Sequence, residues 1–335
     1  MSQINPSRMT KNERREQARQ KAREAREAQL KQERKKRLVI QSSIVLGVIA
    51  VLAIVGLVIA QAVKPAGPGP ENMASGGAVF AGENFEVQKT AAINPGEQLV
   101  AQPVDREKAP LDIVVYVDYM CPHCGLFEQE AGPMLEQWVG SGQATLQVYP
   151  LNFQDNASKG TRYSTRAANA FACLVEDQPD AAWSFHKSLL SQEIQPQQNS
   201  AGLPDDTLID LALQAGATDS ASLRSCITQV PFADFFTNTT RQALSGPIVG
   251  LADGVVLGDG MGGLQDPEEP QHITGTPAVM VNGMQAPTTV NELEQFMLKL
   301  FADLSPSDVE EATEEDAEEA DTDEPAAKED EEKKE

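Results

Sequence analysis

The chain has 335 residues and a formal net charge of −23, with 50 Asp and Glu against 27 Lys and Arg, three histidines and four cysteines. Past residue 37 that balance leaves no phosphate-tracking nucleic-acid surface, which needs clustered base to displace counterions. Charge is also uneven along the chain: residues 1–37 hold a net of +8, residues 305–335 a net of −13, and residues 38–304 the remaining −18.

Residues 1–37 form a basic segment. From Lys11 onward it is rich in Ala, Glu, Arg, Lys and Gln, which predicts a solvated helix with Glu27/Lys31 and Glu33/Arg37 four residues apart. Leu38 to Ala60 then runs for 23 residues without a charge. At ~1.5 Å per residue such a helix matches the ~30 Å hydrocarbon layer of a bilayer. With Arg34-Lys35-Lys36-Arg37 abutting it, the expectation is one transmembrane helix at 38–62. The N-terminus would be cytoplasmic, the rest extracytoplasmic, and the lipid bilayer itself a partner at the cell membrane. A cleaved signal peptide ending at Ala60-Gln61-Ala62 is the competing reading, against which the apolar run exceeds the ~7–15 residues of a signal core. Residues 63–96, opening on Lys64-Pro65-Ala66-Gly67-Pro68-Gly69-Pro70, read as an extracytoplasmic linker. The acidic tail, 305–335, lacks the apolar surface to offset its ordering entropy and is expected to be disordered.

Between linker and tail lies a globular pattern. Leu111–Val117 reads as a buried strand, and the helix expected from Pro122 to about Val139 follows it directly. A second strand is expected over Ala144–Leu151. A run of helical segments comes next: 161–191, 205–215, 220–229 and 232–244. Ala278–Val281 returns to strand, and Val290–Leu304 closes as a helix. The expected class is α/β, with an α/β unit at 97–155 and 246–304 interrupted by a helical insertion at 156–245.

The chemistry concentrates in Cys121-Pro122-His123-Cys124. This places Cys121 at the N-cap of the expected helix, with Pro122 in the first helical position, where a missing N–H costs nothing. A thiol there faces unpaired backbone N–H groups and the positive end of the helix dipole, which favour thiolate. Two intervening residues let Cys124 close a short disulfide with it, and the His123 imidazole is expected to add positive charge. CxxC is also half of a zinc site, but a structural zinc wants four ligands, usually as two close pairs, and Cys173 and Cys226 stand 53 positions apart. No metal or cofactor is therefore expected. Four cysteines allow three pairings. With Cys121 and Cys124 as the redox disulfide, Cys173 and Cys226 read as a structural staple, the alternative being a second redox relay.

Val117-Asp118-Tyr119-Met120-Cys121-Pro122-His123-Cys124, the long helical insertion, and Gly275-Thr276-Pro277-Ala278 together resemble the DsbA-like branch of the thioredoxin superfamily over roughly residues 97–304. The basic segment, Ala-rich composition and acidic tail resemble its membrane-anchored actinobacterial members. The resemblance implies a thioredoxin fold with a helical insertion, and a cis peptide at Pro277 packed against the redox pair. It also implies that Thr276 and Pro277 contact substrate, and that the chain catalyses disulfide formation in unfolded or reduced exported polypeptides. Reoxidation would come from a membrane-embedded partner of the DsbB or vitamin-K-epoxide-reductase type. A disulfide reductase or isomerase on the same scaffold, and a non-catalytic membrane-tethered binding module, are the alternatives. Two departures stand out. The buried carboxylate that members often carry six positions before the first cysteine is Val115 here, leaving Asp118 as a proton-handling or turn residue. The connection from Leu257 through Pro270 to Pro277 is also long; it would shape the groove or simply be mobile, His272 within it would approach the site or stay an exposed loop residue, and His186 is expected to be a plain helix residue.

Overall fold

The computed structural model describes residues 11–62, 67–101, 105–106 and 108–304. The acidic tail and the first residues of the expected linker, 63–66, lie outside them. The chain divides into two compact units, 1–65 and 66–335.

The described residues of the first unit form one continuous helix, α1 (Lys11–Ala62). Among the described residues no helix is long and apolar enough to cross a membrane. The expected transmembrane span at 38–62 is corrected accordingly, and with it the single-pass topology, the membrane-anchored resemblance and the bilayer as a partner. The charged and uncharged halves belong to a single element. In the uncharged half Gln41, Ser42 and Ser43 follow closely on Leu38, and the Ser42 hydroxyl turns back to the Leu38 carbonyl at 2.7 Å.

The second unit is built on one sheet. Its strands are β1 (Ala78–Ala81), β2 (Glu86–Val87), β3 (Leu111–Val117), β4 (Ala144–Pro150), β5 (Ala278–Val281) and β6 (Met284–Ala286), in the order β2-β1-β4-β3-β5-β6. β3 pairs parallel with β4 and antiparallel with β5, so it lies in the middle, and β5 and β6 form an antiparallel hairpin. That hairpin turns on Asn282 and Gly283, both with positive φ, as a two-residue primed turn requires. The arrangement β4-β3-β5-β6, with α2 (Pro122–Gly140) crossing from β3 to β4 and α8 (Val290–Leu304) closing the chain, is a thioredoxin fold. Leu111, Ile113, Val115 and Val117 turn toward the main core with Phe127, Leu135 and Val139 of α2. Tyr116 turns to the other face, with Tyr149 and Met280.

Residues 63–96, expected as linker, contain β1 and β2. β1 pairs antiparallel with β4, and Phe80, fully buried, packs on Trp183 and Phe171. Four apolar residues among Gly, Ser and Ala carry too little periodicity to mark a strand, yet the free edge of β4 supplies the hydrogen bonds that define one.

The helices between β4 and β5 are α3 (Tyr163–Asp177), α4 (Ala182–Leu190), α5 (Asp205–Gln214), α6 (Ala221–Gln229) and α7 (Ala233–Ser245). The expected helix 161–191 is broken between α3 and α4 because Pro179 disfavours α geometry in the residue before it, and Gln178 sits at φ −142°, ψ 62°. α3 is the axis of this block, buried along nearly its whole length. A disulfide joins its Cys173 to Cys226 of α6. Asn169 donates to the Cys226 carbonyl at 2.9 Å and accepts from the Phe232 amide at 3.1 Å, tying α3 to the α6–α7 junction.

Candidate active site

The central strand delivers the chain to the site through a tight turn. After Val117, the Asp118 carboxylate accepts from the Met120 amide at 2.9 Å, and its carbonyl accepts from the Cys121 amide at 2.9 Å. Cys121 then caps α2 with extended backbone (φ −79°, ψ 115°) and makes no side-chain cap bond, leaving its sulfur over the first helical turn; Pro122 opens that turn. Cys121 and Cys124 are both free thiols and buried, at 2% and 0% exposure, while Pro122 and His123 face solvent.

Facing them is the segment before β5. The Thr276–Pro277 peptide is cis, and the Thr276 carbonyl lies 3.3 Å from Cys121 Sγ. The Thr276 hydroxyl is buried beside the two sulfurs, and through it Thr276 favours thiolate, since the carbonyl only accepts. Asp118 N–H reaches Cys124 Sγ from the other side at 3.4 Å.

The two sulfurs differ sharply. A hydrogen bond from Cys124 stabilises the Cys121 thiolate, with further help from Thr276 and the Cys124 and His123 backbone amides. Together they outweigh burial and bring the Cys121 thiol down to about 5 from 9.0. Burial, followed by the neighbouring Cys121, drives Cys124 well above the ordinary thiol range. The His123 ring, expected to add positive charge, faces solvent, and the His123 backbone N–H is among the groups that favour the Cys121 thiolate.

Asp118 is completely buried, and burial raises its carboxyl to about 7 against the pull of Ser164, Met120 and Gln154, with Cys121 adding a smaller upward push. Its oxygens accept from the Ser164 hydroxyl at 2.7 Å and the Gln154 amide at 2.8 Å. It is therefore a turn residue and a buried acid beside the sulfurs at once. Val115, at the position where a family carboxylate would stand, is apolar core.

The histidines separate. His272 is half-buried in its loop, its ring 3.3 Å from the Pro270 carbonyl. That loop is internally bonded: Asp259 accepts from the Met261 and Gly263 amides, and Gln265 spans Leu257 and His272. His186, expected to be a plain helix residue, is buried on α4, bonded to the Tyr119 hydroxyl at 3.1 Å and 3.5 Å from the Glu128 carboxylate. Sequence reasoning also missed Gln195, whose side-chain amide donates to the Cys121 carbonyl at 2.9 Å. It lies 74 residues from its partner in a polar loop, and no local pattern marks it.

A buried, electrostatically asymmetric dithiol at the N-terminus of the helix after the central strand is the redox centre of a thioredoxin-fold protein. Residues 105–245 match the sequence family described as Thioredoxin. The serine/threonine-protein kinase PknE of Mycobacterium tuberculosis is 34% identical over 121 residues, covering 36% of this chain and 21% of the kinase. Disulfide bond formation protein D of Bacillus subtilis is 25% identical over 152 residues, covering 45% of this chain and 65% of that protein. The chain thus spans about a fifth of the length of the kinase relatives it matches. Among solved structures, reduced DsbA from M. tuberculosis is similar with a TM-score of 0.42 and 20% identity, covering 69% of this chain and all of that one. Oxidised BdbD from B. subtilis has a TM-score of 0.45 and 18% identity, covering 71% of this chain and all of that one.

Proposed function

We propose that the protein is a thiol:disulfide oxidase that introduces disulfides into reduced, unfolded exported polypeptides by exchange at Cys121–Cys124. The observation that carries the reading is the split between the sulfurs: Cys121 is held at about 5 while Cys124 is pushed up. A stabilised Cys121 thiolate favours the reduced pair, and a pair that prefers to be reduced oxidises others.

The cycle follows. A substrate thiolate attacks Cys121 Sγ, the Cys121–Cys124 bond breaks, and Cys124 leaves and takes up a proton, as its raised affinity for one favours. A second substrate thiolate attacks the substrate sulfur of the mixed disulfide and expels Cys121 as its stable thiolate. Two electrons pass to the pair; of the two protons released by the substrate thiols, one ends on Cys124 and one in solvent. Thr276 and Pro277, beside Cys121, are in place to hold the substrate backbone during the exchange, and Cys173–Cys226 acts only as a staple of the insertion at 156–245. Reoxidation falls to a membrane-embedded DsbB-like or vitamin-K-epoxide-reductase-like partner.

Oxidative refolding of a reduced, denatured disulfide protein by the full chain tests the reading. The oxidised wild type should restore activity to the substrate stoichiometrically. Cys121→Ser should abolish transfer, and Cys124→Ser, left with a single thiol and no internal disulfide to donate, should transfer none. Transfer by Cys121→Ser at the wild-type rate would end the proposal.

A further inference from the structure

Gln195 reaches the redox turn from the helical insertion. It lies just beyond α4, its backbone N–H bonded to the Ser191 carbonyl at 2.9 Å, and the preceding Ile194 packs on the main core. Its Nε2 donates to two carbonyls of the turn, Cys121 at 2.9 Å and Tyr119 at 3.4 Å. Carbonyls only accept, so the amide has one workable orientation, NH2 toward the turn and Oε1 away. Oε1 then rests on Gly125: a Cβ at that position would stand 2.0 Å from it. The glycine follows the CxxC directly, inside α2, where its backbone needs no glycine-only conformation and where alanine would favour the helix. Close approach of the Gln195 amide accounts for the glycine.

The contact bears on the thiolate through a shared donor. The Cys121 carbonyl accepts from the Cys124 amide at 3.0 Å and the Gly125 amide at 3.3 Å, and the Cys124 N–H is also one of the donors that stabilise Cys121 Sγ. When Gln195 occupies the carbonyl, the Cys124 N–H is less committed to it and freer to turn to the negative sulfur. We propose that Gln195, seated on Gly125, is a positioning residue that strengthens the oxidising power of the pair, so that the insertion sets the redox poise of the site. The inference rests on Cys121–Cys124 being a reversible couple.

The test uses the full chain, with thiolate absorbance read against pH and the reduced-to-oxidised ratio read in glutathione buffers. Gln195→Ala should raise the Cys121 titration midpoint and make the pair roughly two- to tenfold less oxidising in its equilibrium with glutathione, the span of one neutral hydrogen bond. Gly125→Ala, which displaces the same amide, should move both readouts the same way, and the double variant should move them no further than either single change. Lower melting temperature with both readouts unchanged would make Gln195 a merely structural contact and overturn the inference. Additive shifts in the double variant would overturn the link to Gly125. A wild type with no reversible couple would instead remove the functional reading on which the inference rests.

Discussion

If Cys121 is a stabilised thiolate, the reduced protein must be more stable than the disulfide form, by an amount that grows with pH. The perturbation is pH itself. A thiol held at about 5 rather than 9.0 corresponds to ~5 kcal/mol over the full range, at 1.36 kcal/mol per tenfold change. Solvent screening at the rim of the site halves this to roughly 2–3 kcal/mol, of which about 1 kcal/mol falls between pH 5 and 7. The sign is set by linkage: the folded affinity for the proton is depressed, so the stabilisation is complete above pH 9 and lost as pH falls through about 5. The disulfide form has no thiol at this position and lacks the effect. Urea unfolding of both forms at pH 5, 7 and 9 measures it. Trp138 and Trp183, the only two tryptophans and both largely buried in the second unit, serve as fluorescent probes. The margin of reduced over disulfide form should widen with pH. A margin that is flat, or that narrows as pH rises, would refute the reasoning.

Asp118 titrates in the opposite sense. Burial raises its carboxyl from 3.8 to about 7, so the folded state binds the proton more tightly and stability falls as pH rises from about 4 to 7. In the disulfide form, where Cys121 does not titrate, Asp118→Asn should flatten that decline by up to ~4 kcal/mol, as read from urea midpoints across the window. The amide should also cost about 1–3 kcal/mol at pH 4, because it cannot accept from Ser164, Met120 and Gln154 together. Replacing Cys173 and Cys226 by Ser should cost at most about 4 kcal/mol, the chain-entropy value for a loop of 53 residues, while leaving disulfide transfer intact. Denaturant unfolding paired with the refolding assay separates the two outcomes.

What could be read from the sequence was local. Leu111–Val117 followed by Cys121-Pro122-His123-Cys124 announced a strand, a cap and a helix, because an apolar run, a proline and a two-residue cysteine spacing all act within one turn of chain. The features that tune the site are not local. Thr276 meets Cys121 across 155 residues and Gln195 across 74, contacts that only the closed sheet and the packed insertion create. Burial changed the reading of two residues. Asp118, a proton-handling or turn residue by sequence, becomes both once Ser164 and Gln154 close over it, and His186, a plain helix residue by sequence, is enclosed by Tyr119, Trp183 and Glu128. β1 was hidden for a related reason, since its pairing with β4 rather than its composition makes it a strand. The long uncharged run from Leu38 carried the opposite lesson: composition alone marked a membrane span that the described helix does not support.

The central claim is the direction in which the Cys121–Cys124 pair drives electrons. Equilibrating the full chain with graded glutathione buffers and trapping the thiols by alkylation measures its potential directly. The asymmetry of the two sulfurs predicts a value on the oxidising side of glutathione, nearer the roughly −120 mV of DsbA than the roughly −270 mV of thioredoxin. A potential near that of thioredoxin would contradict the oxidase reading and point to a reductase on the same scaffold.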